Sequence, residues 1–213
     1  MNRGTASWRP PCLRRRGRNS GKMSTSAKAS RSVTSSTARW TASAGANLAD
    51  VATAVQAGQF DAIEEMIKDL QYGLLNLRYA PFPVVAAPFG LALGGGCELC
   101  LAADRIVAHA ELYMGLVEIG VGLLPAGGGC LNLWRKFIES VPAAVTDLDL
   151  AKLFIPVFMS IAMAKVSTSA AEARANGFLG PEDRIVMNRD HLIGEAKKEV
   201  LRMLEDGYAA PLK

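Results

Sequence analysis

Apolar residues recur at three- and four-residue spacing through Phe60, Ile63, Met66, Ile67, Leu70, Leu74 and Leu75. That is the period of one helix face. The pattern predicts helix over 49–77, with a second half that could start near Asp61, a Glu64–Lys68 pair one turn apart and a stop at Pro81 and Pro83. Ala42–Asn47 before it reads as a strand end and turn. After it, Pro83–Leu93 reads as a short buried strand around Val84 and Val85, Gly94–Gly96 as a turn, Cys97–Ala103 as helix and Arg105–Ala108 as strand. Glu111–Pro125 is expected to be mostly loop, with a strand at Leu112–Met114, and Gly127–Phe137 to start another helix. Residues 148–164 are apolar and helical in pattern, broken or kinked at Pro156. Ser169–Asn176 reads as a short helix capped by Thr168 or Ser169 and ended by Gly177. A last amphipathic helix spans Asp190–Glu205, with Asp190 as its cap and Ile193, Ala196, Val200 and Leu204 on its apolar face. Strand alternating with helix predicts an α/β sheet with helical cover.

Composition changes the picture at one end. The 213 residues are half hydrophobic, enough to bury a core within one domain. Ten of the 24 Lys and Arg lie in residues 1–40, which hold no Asp or Glu. The rest sets 14 basic residues against 20 acidic ones, so the net charge of +4 hides an acidic globular part. Residues 1–40 are rich in Arg, Ser and Thr, carry Arg14-Arg15-Arg16 and show almost no hydrophobic periodicity, so they are expected to stay unfolded. Three readings stay open for them: a basic arm for nucleic acid or anionic surfaces, an organelle transit peptide, and sequence foreign to the rest of the chain, as a misassigned start or shifted frame produces. Residues 41–213 are expected to form the folded domain. Of the four cysteines Cys12, Cys97, Cys100 and Cys130, two make a C-x-x-C that reads as small buried residues on a helix turn rather than a redox pair. This usage suits a reduced, cytoplasmic protein, or one of an organelle matrix if the basic segment is a transit peptide. Phe82–Ala103 has the length of a membrane span, but Glu98, its glycines and its prolines favour strand, turn and helix.

The candidate chemistry sits in Pro83–Cys130. Glu98 and Glu118, twenty positions apart, are each embedded in apolar and glycine-rich sequence. A carboxylate buried there is held protonated to higher pH, as a general acid near neutrality requires. Gly94-Gly95-Gly96 before a helix lets backbone N–H groups approach a ligand oxygen and aims the positive helix end at it. Plainer readings stand beside these: a tight turn without ligand, a first-turn carboxylate favoured by the helix dipole, and a solvated loop glutamate. No Gly-Lys-Ser/Thr ends the glycine run and no G-x-G-x-x-G comes after a strand, so neither a P-loop nor an NAD site is read here. Asp104 is expected to bond backbone at a helix end. His109 and His191 have no metal or triad spacing and read as surface or packing residues, and Ser167–Ser169 as a cap.

Gly94-Gly95-Gly96-Cys97-Glu98, Ala103-Asp104-Arg105 and Gly115–Gly120 with its glutamate resemble the enoyl-CoA hydratase/isomerase (crotonase) superfamily. Ser43-Ala44-Gly45-Ala46-Asn47-Leu48 resembles its other active-site loop, with Asn47 where Asp is usual, and Val117 stands where many members have proline. Ala126-Gly127-Gly128-Gly129, Lys165–Ser169 and Gly180-Pro181-Glu182-Asp183 are similar to the hydratase portion of bacterial fused 3-hydroxyacyl-CoA dehydrogenases. The resemblance covers roughly residues 42 to 210. It implies a ClpP/crotonase ββα spiral with C-terminal helices, the first strands missing, and a domain incomplete at both ends. It implies hydration of 2-enoyl-CoA thioesters in fatty-acid β-oxidation, with Glu98 activating water and Glu118 supplying the C2 proton. The Ala46 and Gly95 N–H groups would hold the thioester oxygen, and Ala44, Ala46, Gly94 and Gly95 would contact substrate or CoA. No metal and no cofactor beyond substrate CoA are implied, with NAD entering only through a fused dehydrogenase domain. Trimer-type self-assembly or a dehydrogenase partner is implied. The alternatives are a non-catalytic fragment that binds acyl-CoA or a subunit, and a basic-tailed nucleic-acid binder.

Overall fold

The computed structural model describes residues 48–142 and 147–212. Helix α1 (Leu48–Gln56) and helix α2 (Phe60–Arg78) precede strand β1 (Val85–Ala86), strand β2 (Gly90–Leu93) and helix α3 (Gly95–Ala102). Strands β3 (Arg105–His109) and β4 (Leu112–Gly115) come next, then a 3-10 turn at Glu118–Val121, helix α4 (Gly129–Glu139) and helix α5 (Leu150–Ala162). Helix α6 (Ala170–Ala175), strand β5 (Arg184–Val186), a 3-10 turn at Arg189–His191 and helix α7 (Leu192–Glu205) complete the order.

Among the described residues the paired strands run parallel, and an isolated antiparallel bridge joins Met114 to Ser167. One sheet runs β1-β3-β5, and β2 pairs with β4 in a second sheet. Parallel neighbours need a crossover, and α3 lies within the one between β2 and β4. Strand β3 is covered on both faces, as its apolar run Ile106-Val107-Ala108 requires. Ile106 and Ala108 join the main core with Leu101, Leu112, Met114, Leu116, Leu133 and Phe178. Val107, pointing the other way, packs with Leu192 and Ala196 of α7.

Two carboxylates tie the elements together. Asp183 accepts from the Ile106 amide at 2.7 Å, the Gly180 amide at 2.7 Å and Lys136 Nζ of α4 at 2.6 Å. Asp104 does bond backbone, taking the Val84 amide at 2.8 Å, and also accepts from the Tyr208 hydroxyl at 3.0 Å. Ser169 caps α6 as expected, accepting from the Glu172 amide at 3.1 Å, while Glu172 reaches back to the Thr168 amide at 2.8 Å. His109 is a packing residue whose Nδ1 accepts from the Glu111 amide at 3.3 Å.

Several expectations are corrected. The helix over 49–77 is two helices, because Gly58 adopts a left-handed φ of +68°. Of the face from Phe60 to Leu75 only Leu74 is buried, and Phe60, Met66, Leu70 and Leu75 are exposed. The Pro83–Leu93 strand is two short strands parted by Ala87, Pro88 and Phe89, where Pro88 has no N–H to give a ladder. Helix α5 runs through Pro156 without a break. The carbonyl that loses its partner is that of exposed Lys152, which water can satisfy. Asp190 is no cap: the Asn188 side chain accepts from the Asp190 amide, and α7 starts after that turn. On α7 the buried residues are Leu192, Ala196, Glu199 and Met203, whereas Ile193 and Leu204 are exposed. Strand β5 has no counterpart among the elements expected from the sequence.

Candidate active site

Strand β2 delivers the chain to Gly94, whose φ of +56° turns it into α3. The Gly94 amide donates to the Gly115 carbonyl at 3.0 Å and its carbonyl accepts from the Glu98 amide at 3.0 Å. Gly94 therefore contributes a turn, with both backbone groups engaged. Gly95 opens the helix, so its N–H has no acceptor within α3 and stands at the positive helix end. Ala44 and Ala46, named with it from the sequence, lie outside the described residues.

Glu98, one turn into α3, is only 2 % exposed. Its Oε1 accepts from the Gly129 amide, at the start of α4, at 2.9 Å. Burial pushes its carboxyl above the ordinary value, and the Gly129 and Gly127 amides pull it part of the way back. The glycines of this loop are required by that carboxylate. A Cβ on Gly127 would stand 2.6 Å from Glu98 Oε2, and one on Gly129 would stand 3.0 Å from Oε1 and 2.8 Å from Leu116 Cδ2. Gly128 has a φ of +108°. In the sequence these glycines serve only as a mark of resemblance, and their work as a cradle goes unread. Three glycines running into an amphipathic helix are the available signal.

Glu118 opens the 3-10 turn after β4. Both of its carboxylate oxygens are buried and meet no side-chain or amide donor at hydrogen-bonding geometry. Burial first raises its pKa and the neighbouring charge of Glu98 adds to that, while the nearby Glu118 and Val117 amides oppose the shift. The two acids, far apart in sequence, thus sit close enough to feel each other's charge. Behind Glu118, Gly115 lets the Lys165 carbonyl approach where any side chain would collide. Ile119, Val121, Leu123 and Leu124 leave apolar side chains exposed beside it.

Cys97 and Cys100 are buried and not bonded to each other; burial raises both thiols, Cys100 to about 12. No group of three His, Cys, Asp or Glu side chains suited to a metal occurs among the described residues, and no described helix is long and apolar enough to cross a membrane. A concavity of about 770 Å³ lined by Arg105, Glu182, Arg184, Arg202, Asp206 and Tyr208 contains neither Glu98 nor Glu118. Its arginines are matched by acids: Arg105 pairs with Glu182, Arg184 with Glu195, and Arg202 with Glu199.

Residues 33–145 match the model of the enoyl-CoA hydratase/isomerase family. The chain is 43% identical over 169 residues to a probable 3-hydroxyacyl-CoA dehydrogenase of Bacillus subtilis, covering 79% of this chain and 21% of that protein. It is 35% identical over 156 residues to a putative fatty acid oxidation complex trifunctional enzyme of Rickettsia felis, covering 73% and 20%. An enoyl-CoA hydratase from Bacillus anthracis, solved at 1.8 Å, superposes with a TM-score of 0.55 at 25% identity over 69% of this chain and 49% of that one. The chain thus spans about a fifth of the curated relatives and half of the solved structure. The α/β crotonase architecture expected from the sequence is the one these structures share.

Proposed function

The chain belongs to the enoyl-CoA hydratase/isomerase family, and from that premise we propose that Glu98 and Glu118 add water to a 2-enoyl-CoA thioester. The observation that carries this reading is the pair itself: two neighbouring carboxyls, each raised by burial, beside a glycine-led helix terminus. Like charges this close hold one proton between them, so one acid and one base coexist near neutral pH. A family member with both acids is suited to hydration, which needs a base for water and an acid for carbon.

In the hydration step Glu98, ionised, takes a proton from water as the water oxygen bonds C3. The C2–C3 π electrons move toward C2 and the thioester oxygen, which gains negative charge. Glu118, protonated, gives its proton to C2. The pair ends with its proton on the other carboxyl and resets by exchange through water. The Gly95 N–H, with that of Ala46, is assigned to the thioester oxygen as its charge grows; an oxyanion donor of this kind lowers the barrier by about 3–4 kcal/mol. Dehydration is the reverse path. Cys97 and Cys100, buried with their thiols held protonated, suit a reducing cytoplasm.

Loss of the enone absorbance of crotonyl-CoA tests the reading, with Glu98→Gln and Glu118→Gln each expected to reduce turnover by about 10²–10⁴-fold. Equal turnover in wild type and Glu118→Gln would discard it. The exposed Phe154, Ile155 and Phe158 on α5 favour a second reading, a subunit- or domain-interaction fragment without turnover. That reading expects concentration-dependent association by light scattering in a chain inert towards crotonyl-CoA.

A further inference from the structure

Helix α2 reaches the candidate site through a polar contact and an apolar one. Gln71 Nε2 donates to the Ala126 carbonyl at 2.8 Å. One turn on, Leu74, the only buried residue of α2, lies against Gly127: its Cδ1 would be 2.9 Å from a Cβ placed there. Ala126 and Gly127 begin the loop whose Gly129 amide holds Glu98. Apart from buried Pro125, whose carbonyl accepts from the Cys130 thiol at 3.9 Å, the loop's one side chain is that of Ala126, and Gly127–Gly129 offer none to fix it. At its downstream end the loop is anchored in α4, where Gly128 O accepts from the Asn132 amide at 2.9 Å. At its upstream end α2 holds it too, through Gln71 on the Ala126 carbonyl.

We propose that Gln71 is a positioning residue: by tying the Ala126 carbonyl to α2 it aims the Gly129 N–H at Glu98 and so sets the orientation and protonation of that carboxyl. This deepens the hydratase reading and rests on it for its effect on turnover. The bond joins an exposed glutamine to a loop 55 residues away in the sequence, so it is a tertiary tie and not a local helix contact. Glu98 is faced, besides the two amides, by Glu118 from the turn after β4, with Cys97 on its own helix and Cys130 on α4 close enough to sense its charge. None of these is altered by changing Gln71.

The test uses the full chain with three variants. Gln71→Ala keeps a good helix former and removes the donor; Gln71→Glu keeps the length and removes the donor; Gln71→Lys keeps a donor. With crotonyl-CoA, Ala and Glu are expected to lower kcat about tenfold with KM and Tm little changed, and Lys to restore most of it, since small misplacements of a reacting group act on kcat. A kcat unchanged in Ala and Glu, or one that falls only in step with Tm, overturns the proposal. A second readout needs no substrate: the ¹³Cδ shift of labelled Glu98, assigned by its loss in Glu98→Gln, titrated with pH. Weakening the Gly129 bond removes a contact that favours the ionised form, so the Glu98 midpoint should rise in Gln71→Ala. An unmoved midpoint overturns the proposal, and a wild type without turnover but with a shifted midpoint discards the hydratase reading while upholding Gln71 as the residue that positions Glu98.

Discussion

Glu98 Oε1 and the Gly129 amide, on two different helices 31 residues apart in the chain, meet at 2.9 Å with no room for a methyl group beside them. Helix α4 therefore begins where a carboxylate of α3 ends, and the glycines after Pro125 are set by that meeting. Gly129→Ala would push against both Glu98 Oε1 and Leu116 Cδ2, and Gly127→Ala against Glu98 Oε2 and Leu74 Cδ1. Overpacking of this kind costs about 1–3 kcal/mol. Both variants should unfold at lower urea, and at equal folded fraction both should lose crotonyl-CoA turnover by about 10²-fold because the carboxylate is displaced. A variant with wild-type kcat would separate the cradle from the chemistry.

The raised pKa of each glutamate makes a statement about stability. A carboxyl whose folded pKa lies above its unfolded value binds more protons when folded, so stability falls as pH rises from the unfolded value through the folded one. The destabilisation is complete above the folded pKa and absent below the unfolded one. Near neutral pH the unfolded chain lets Glu118 ionise while burial opposes the charged form in the folded one, and Gln is neutral in both, so Glu118→Gln should raise Tm at neutral pH. That advantage should fade as the solution approaches about pH 4, where the wild-type carboxyl becomes neutral in both states. Melting curves across this range check it; a variant less stable than wild type at neutral pH would contradict the burial argument.

How much of this is legible in the sequence depends on the range of the forces involved. The glycine turn and α3 around Glu98 are legible because they are local: Gly94 needs its φ of +56° and the helix begins at once. Pairing Glu98 with Glu118 comes from family resemblance, since nothing in twenty residues of spacing brings them together; the β2–β4 register does, setting Leu93 opposite Gly115. Strand β5 escapes a reading of the sequence because Arg184-Ile185-Val186 is three residues long and led by an arginine. Its place is decided by Asp183, which bonds β3 and α4 from just before it. The face of α2 misleads for a related reason. Periodicity marks a helix, but only a packed neighbour buries it, and among the described residues Leu74 alone of that face is buried.

Gly177 tests packing away from the glutamates. Its φ of +81° is left-handed, and a Cβ there would run into the Phe137 ring of α4. Gly177→Ala combines backbone strain with a clash, each of order about 1–3 kcal/mol. The urea midpoint should drop accordingly, while kcat of the folded fraction stays at the wild-type value. Measured in the Phe137→Ala background, which carries its own cost of lost core packing, Gly177→Ala should cost less by the part due to the clash and keep the part due to φ. Strict additivity of the two changes would show that the ring is not what excludes the methyl.

Tyr208, beyond α7, closes the far end of α3 on Asp104. Its hydroxyl donates to Asp104 Oδ2 at 3.0 Å, the same oxygen that accepts the Val84 amide. Burial, then the Asp104 charge and that hydrogen bond, push the phenol up to about 12. An ionised phenolate could not donate and would face a carboxylate. The folded pKa exceeds the unfolded one, so this contribution is whole below the ordinary tyrosine value of about 10 and is lost as pH rises towards the folded value. Spectrophotometric titration should therefore show a late ionisation from Tyr208. In Tyr208→Phe that late step should vanish. The variant should also be less stable by about 1 kcal/mol at neutral pH, the worth of one hydrogen bond. The deficit should shrink in alkali as the wild type loses the same bond, and a late step that persists in the variant would assign it to another tyrosine.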